Sequence, residues 1–395
     1  MLFKTVFLLA ACISASLAQT AEVESELAPL VVPKTRVLNG NYIVVYKDDA
    51  SFAENEIQDQ AIKAGVKHVY NLNAFKGYSG KFDAETLKKI RRDPKVKFVE
   101  LDAEVSINDV QSGAPWGLAR ISHRAKLDAN TKDKYIYDAN SGNGVTAYVI
   151  DTGVYIQHPE FQGRARWGAT FASDGNTDGH GHGTHVAGTI ASKTYGVAKK
   201  ASIVAVKVLN AQGSGTNSDV IAGINWAAND SKKNKKHTSV ANMSLGGGAS
   251  TAVDNAVNSA VDAGLSIVVA AGNNNGDACN NSPARASKAV TVAASDVNDK
   301  KASFSNYGRC VHIIGPGVNV LSTWKNGGTN TISGTSMASP HIAGLAAHFL
   351  SQQPRDPIAL RTFLQQVATK DAISGFPAGT PNLLGYNNNG AAAAA

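Results

Sequence analysis

The sequence predicts two folding units: a large doubly wound α/β domain on a mostly parallel sheet, preceded by a small ferredoxin-like α+β module. Three observations carry this. The runs "VTAYVID", "SIVAVKVL", "SVANMSL", "LSIVVAAGN" and "AVTVAAS" are almost unbroken apolar stretches, as expected of parallel strands covered on both faces. Helical stretches, "HVAGTIAS", "SDVIAGINWAAND" and "STAVDNAVNSAVDAG", lie among them, and such alternation puts helices on each side of a parallel sheet. Residues 41–105 instead compress four strands and two helices into the order β, α, β, β, α, β. That order is the ferredoxin-like one.

The elements follow in chain order. In "MLFKTVFLLAACISASLAQT", Lys4 precedes an apolar stretch too short to span a bilayer, and the small residues Ser16 and Ala18 end it. This pattern predicts a secretory signal over residues 1–18, cut near Ala18. A polar connector runs to about residue 40. "NYIVVYKDD" then reads as a strand, "SFAENEIQDQAIKAG" as a helix with Ser51 as its cap, and "VKHVYNLNAFKGYSGKF" as a hairpin. "DAETLKKIRRDP" reads as a helix capped by Asp83, and "VKFVELDAEV" as the closing strand. Residues 19–108 are expected to form one processing unit and 109–395 the large domain.

Composition excludes several classes. With 43% apolar and 17% charged residues the chain is globular, not disordered. Its net charge of +7 comes without an aromatic-interleaved basic stripe or zinc-finger spacing, so no nucleic-acid role is expected. "SKKNKKH", at 231–237, reads as a solvated loop. No later stretch is long and apolar enough to predict a membrane span. Cleavage near Ala18 would remove Cys12 and leave Cys279 and Cys310, an even pair that invites a disulfide in an oxidising compartment, against the alternative of two unrelated buried thiols. Such a bridge would stabilise the fold by roughly 3–4 kcal/mol in the chain-entropy account.

In open α/β sheets ligands bind beyond the carboxyl ends of the strands. Three residues stand just past apolar runs or at helix starts. Asp151 closes "VTAYVID", His182 opens "HGTHVAG", and Ser336 precedes the apolar helix of "SGTSMASPHIAGLAAHFL", in whose opening turns Pro340 falls. A serine hydroxyl is a poor nucleophile until a histidine takes its proton, and that histidine needs a carboxylate to fix its tautomer. Asn273, after "SIVVAAG", puts a side-chain amide at another strand end, and with the Ser336 backbone N–H it is a candidate oxyanion hole. A zinc site built from His180, His182 and His185 is the alternative. It is disfavoured because no HExxH arrangement and no nearby glutamate base are present. A lipase-like hydrolase is disfavoured too, since Asp and His precede Ser and the serine turn ends in Ala338.

The blocks "VIDTGV", "HGTHVAGT", "SLGGG", "VVAAGN" and "GTSMASPH" resemble the signature segments of the subtilisin-like serine proteases. "APWGLARIS", "SFSNYG" and "PNLLGYNN" resemble the proteinase K branch, and the module at 41–105 resembles that family's inhibitory I9-type propeptide. The resemblance implies a secreted, self-processing serine endopeptidase whose partners are protein and peptide substrates and its own propeptide. A monomer is expected, with no cofactor for catalysis. Asp151, His182 and Ser336 match the triad, Asn273 the oxyanion asparagine and His185 a packing histidine. His180 lies upstream of the block and is left as a loop residue. Ser244, Leu245 and Gly246, with Ala270, Ala271 and Gly272, resemble the walls of the primary specificity pocket, and Gly213, Ser214 and Gly215 resemble an edge strand that pairs with extended peptide. No carboxylate lies in those walls, so cleavage after apolar or aromatic residues is expected. The processing junction falls between Val105 and Ser112.

The resemblance also implies structural calcium, held between a carboxylate and the carbonyl oxygens of a loop that here reads "SPARASKAV". The carboxylate's position is His312, so no metal ligand is assigned there, and Asp371 lies one residue out of register with a second, weaker site. "DACNNSPAR" and "NYGRC" look like a disulfide of the aqualysin-type members, which supports pairing Cys279 with Cys310. Sequons occur at Asn229, Asn242 and Asn280, the second inside an expected buried strand.

Overall fold

The computed structural model describes residues 27–33, 37–50, 57–72, 75–103 and 108–389, so the signal expected over 1–18 and the Ser51 cap lie outside it. The chain divides into two compact units, 1–105 and 106–395. Among the described residues no helix is long and apolar enough to cross a membrane.

The first unit contains β1 (Leu30–Val31), β2 (Val37–Tyr46), α1 (Gln60–Gly65), β3 (Val66–Leu72), β4 (Phe75–Lys81), α2 (Ala84–Arg92) and β5 (Val96–Ala103). Its sheet runs β1-β5-β2-β4-β3. Without β1 this is the strand order expected of the predicted β, α, β, β, α, β module. β1 is an addition to the expected polar connector: Leu30 pairs in parallel with Val99. Asp83 caps α2 by accepting from the Thr86 amide at 2.8 Å, and Asp59 does the same for α1 through the amides of Ala61 and Ile62. Val44, Tyr78, Ile90 and Val99 form the core that these elements close over.

The second unit begins with β6 (Asn108–Ser112), α3 (Trp116–Ile121), β7 (Lys134–Asp138), β8 (Thr146–Asp151), β9 (Ala165–Thr170), α4 (His182–Ala191) and β10 (Ser202–Lys207). It continues with α5 (Asn217–Ser231), β11 (Ser239–Met243), β12 (Gly247–Gly248), α6 (Thr251–Asp262), β13 (Ser266–Ala270), β14 (Asn281–Ser282) and β15 (Val290–Ser295). β16 (Ile313–Pro316), β17 (Val320–Thr323), β18 (Thr329–Ile332), α7 (Thr335–Gln352), α8 (Pro357–Val367), β19 (Thr369–Lys370) and β20 (Leu383–Leu384) complete it.

Nine strands form the main sheet in the order β19-β20-β16-β15-β13-β11-β8-β10-β9, and only β19 with β20 is antiparallel. The two-residue side-chain period sorts each strand between two cores. Ala147, Val149, Ala205 and Val268 join the side chains of α4 and α7 on one face. Tyr148, Ile150, Val206 and Val269 join those of α5 and α6 on the other. Both faces are therefore covered, and the carboxyl ends of β8, β11 and β13 open onto the same edge.

Three histidines are buried on the α4 and α7 side. Burial pushes the imidazoles of His185, His341 and His348 down to about 4, from an ordinary 6.5. They are neutral in the folded state and protonate on unfolding in mild acid. Between those two values the unfolded chain binds more protons, so stability rises with pH there and is lost as pH falls from about 6.5 toward 4, by up to roughly 3 kcal/mol per histidine. Urea midpoints of the intact chain should fall steadily across that window, and a flat profile would contradict neutral burial.

Candidate active site

Asp151 is the last residue of β8 and is fully buried. Its Oδ1 accepts from the Thr152 amide at 2.7 Å and from His182 Nδ1 at 2.7 Å. Donation from Nδ1 leaves the lone pair on Nε2, the nitrogen a proton-accepting base needs. His182 opens α4, and its side chain is 19% exposed, enough to meet a ligand. Burial disfavours the imidazolium, but the charge and hydrogen bond of Asp151, with the charge of Asp178, outweigh it and hold the His182 pKa above the ordinary value.

Asp178 was not singled out in the sequence, yet it fixes this pair. Its Oδ1 accepts from Thr152 Oγ1 (2.8 Å) and the Gly181 amide (2.7 Å), and its Oδ2 from the amide and hydroxyl of Thr184. One buried carboxylate thus ties the residue after Asp151 to both sides of His182. A Cβ on Gly183 would strike the Gly153 carbonyl, so only glycine lets α4 start this close to the end of β8. Lys207, fully buried, adds a bond from Nζ to the Thr152 carbonyl at 2.8 Å. His185 donates from Nε2 to the carbonyls of Val320 and Asn330, in the manner of a packing residue. His180 lies at the groove with its ring 6.1 Å from that of His182 and 6.4 Å from Trp324.

Ser336 is the second residue of α7. Its hydroxyl donates to the Ser244 carbonyl at 3.2 Å, and its own carbonyl accepts from Ser244 Oγ at 2.8 Å. The second bond has a cause in the sequence. Residue 340 is a proline, so the helix has no N–H to offer the carbonyl four residues earlier. Pro340 is the sixth residue of α7, in its second turn, and Ser244 supplies the missing donor. Asn242 Nδ2 donates to Ser244 Oγ and Ser339 donates to Asn242 Oδ1, which ties the end of β11 to the start of α7. Asn242 is buried in this network, leaving that sequon inside the fold.

Asn273 Oδ1 accepts from both the amide and hydroxyl of Thr335, at 2.8 Å each. These two donors fix the orientation of the side-chain amide and turn its Nδ2 away from them. A methyl group placed on Gly334 would lie 3.5 Å from the Ser336 backbone N and 3.7 Å from Asn273 Nδ2. Two donors therefore converge on one small volume at a helix N-terminus, where an amide has no intrahelical partner.

A groove of about 510 Å³ passes the site, and His180, His182, Gly213, Ser214, Gly215, Ser244, Leu245 and Gly246 all line it. None of its lining residues is acidic or a lysine or arginine. Residues 213–216 do not form a strand in the structure; they are an exposed segment after a turn built on Asn210, whose Oδ1 accepts from the amides of Gln212 and Ser214. Ala270, Ala271 and Gly272 fall outside the lining. Ala271 is fully buried with Ala278, Ala293 and Ile314, and Gly272 donates to Thr335 Oγ1. Leu209, Val220 and Val253 add apolar lining that the motifs did not indicate.

Cys279 and Cys310 are joined by a disulfide. No cluster of metal-ligating side chains occurs among the described residues. At the expected calcium position, His312 Nδ1 accepts from the Thr291 amide, which puts the ring proton on Nε2 and leaves no lone pair for a metal. Asp371 shares a shallow pocket with Asp299, Arg120, Arg124 and Lys126; Asp299 is already paired with Arg120, and the two remaining cations disfavour a further one beside Asp371. The residues present do not fit calcium at either position.

The Subtilase family model matches residues 142–386 and the Peptidase inhibitor I9 model residues 41–108. The chain is 52% identical to a subtilisin-like protease of Coccidioides posadasii, over 82% of this chain and 71% of that protein. It is 45% identical to the subtilisin-like serine protease Pen ch 18 of Penicillium rubens, over 99% and 89% of the two chains. Among solved structures, that of a cold adapted subtilisin-like serine proteinase superposes with a TM-score of 0.65 at 49% identity, over 70% of this chain and 99% of that one.

Proposed function

We propose, starting from the fact that this chain belongs to the subtilase family of serine endopeptidases and carries an inhibitor I9 module, that it is a secreted zymogen whose Asp151, His182 and Ser336 cut peptide bonds. The proposed layout is a signal over 1–18, a propeptide over 19–108 and a catalytic domain over 109–395. What supports the reading most is the 2.7 Å bond between Asp151 and His182 Nδ1, with the free Nε2 and Ser336 at the same sheet edge.

In this mechanism Ser336 Oγ leaves the Ser244 carbonyl, gives its proton to His182 Nε2 and attacks the scissile carbonyl carbon. Asp151 stabilises the imidazolium. Asn273 Nδ2 and the Ser336 N–H hold the oxyanion. His182 then protonates the leaving amine, and water cleaves the acyl-enzyme by the reverse sequence. The exposed 213–216 segment pairs with substrate backbone, which tolerates many sequences.

The groove, with no acidic, lysine or arginine residue and with Leu209, Val220, Leu245 and Val253 in its lining, supports broad specificity for apolar and aromatic residues. Digestion of an unfolded protein, with the new C-termini assigned by mass spectrometry, tests this. Apolar and aromatic ends should dominate. Ends that are mainly lysine or arginine would refute the specificity, and no cleavage at all would refute the enzymatic reading.

A further inference from the structure

The calcium that the family resemblance implies has no ligand set here, and something else stands in the same place. Arg361, on α8, donates from Nη1 to the Ser287 carbonyl at 2.7 Å and to the Ala289 carbonyl at 3.3 Å, both in the loop "SPARASKAV". The same nitrogen lies 3.5 Å from His312 Nε2. We propose that the guanidinium of Arg361 is a built-in cation that replaces a structural calcium at this position, tying α8 to the 282–290 loop without any metal.

The chemistry of each group agrees. Carbonyl oxygens that would ligate a hard cation are taken by charge-assisted hydrogen bonds, the stronger kind. An arginine keeps its charge at any relevant pH and presents its donors in a rigid plane, so it can hold two carbonyls at once. A divalent ion would have to displace it and then sit beside its positive charge. His312 suits a site without a metal: its Nδ1 accepts from the Thr291 amide, and its neutral ring adds no charge beside the guanidinium. A carboxylate there would be needed for calcium.

The helix that carries Arg361 is itself held at both ends of this contact. Gln365, one turn on, donates to the His312 carbonyl at 3.1 Å. Arg124 donates to the carbonyls of Val367, the last residue of α8, and of its C-cap Ala368, which have no partner within the helix. The disulfide at Cys310 lies two residues before His312. Arg361 therefore extends from a fixed helix to a loop whose neighbour is covalently anchored.

Thermal melts and calcium titration calorimetry on the full chain carrying Ser336→Ala, in excess calcium and in excess chelator, test the proposal. They do not depend on the peptidase reading, because nothing in the readout requires catalysis. Arg361→Gln should lower Tm by about 5 °C, equally in both media. His312→Asp alone should pair with Arg361 and gain no calcium response. His312→Asp with Arg361→Ser should bind calcium in the calorimeter and melt several degrees higher with it than with chelator. The proposal is overturned if Arg361→Gln melts like its parent, if the parent binds calcium and loses that binding on His312→Ala, or if the double variant folds and ignores calcium. Should the double variant not fold, a calcium response gained by His312→Asp alone would also overturn it.

Discussion

The Ser336→Ala chain should keep its N-terminal module, while the unaltered chain is shortened by residues up to about 108, the end of the I9 match. Intact mass and N-terminal analysis of the two, side by side, read this directly. In the reading proposed here, the attacking oxygen that cuts the junction between Val105 and Ser112 is the one that later cuts substrate. Removing it abolishes both, with activity on an unfolded protein falling on the order of 10⁶-fold, the scale of the same loss in subtilisin. If both chains are processed alike, another protease makes the cut. If neither is processed and neither cleaves a test protein, the chain is a scaffold that binds without turning over.

Asp151→Asn should reduce kcat/KM on the order of 10⁴-fold at neutral pH, the size of the loss for the same exchange in another serine protease triad. The mechanism of the loss is open to a sharper test. Asp151 Oδ1 accepts from Thr152 as well as from His182, so an asparagine can keep its oxygen there and hold the same tautomer. What it removes is the charge that keeps the His182 pKa above the ordinary imidazole value. In the unaltered enzyme, activity falls with acidification as His182 protonates, with a midpoint above that value. In the variant the midpoint should move to lower pH while the plateau drops. A lowered plateau with an unmoved midpoint would mean that tautomer or geometry, rather than charge, was lost.

Much of this site was legible in the sequence because chemistry in an open α/β sheet gathers where apolar runs stop. Asp151 and Asn273 follow such runs, and His182 and Ser336 open helices of small residues. The parallel core was equally visible, since β8, β10, β11, β13 and β15 are buried apolar runs whose polar residues, such as Asp151, Lys207 and Asn242, sit at or next to the strand ends. β9 was not visible: "ARWGAT" is a partly exposed edge, with a polar and a glycine position where the inner strands have valine. β16, at four residues ending in proline, is too short to signal itself. Asp178 and Arg361 were missed for a different reason. Asp178 ties the nearby Gly181 and Thr184 to Thr152, 26 positions back, and Arg361 reaches across 74 positions to Ser287; no local pattern marks the long-range half of such contacts. His312, by contrast, stands out in the sequence as a departure from the family pattern, and only the fold brings Arg361 opposite it.

Pro340 has a consequence for anyone who would redesign the groove. By denying Ser336 an internal helix bond, it makes the backbone of the proposed nucleophile lean on Ser244, which is also a groove residue. Wall and nucleophile are therefore one mechanical part. Exchanging Leu245 or Gly246 alters what the groove admits and leaves that part whole. Exchanging Ser244, or restoring an amide at position 340, uncouples it, so a change meant for substrate choice arrives as a change in turnover. The separable knobs of this enzyme are the side chains one step away from the serine pair, not the pair itself.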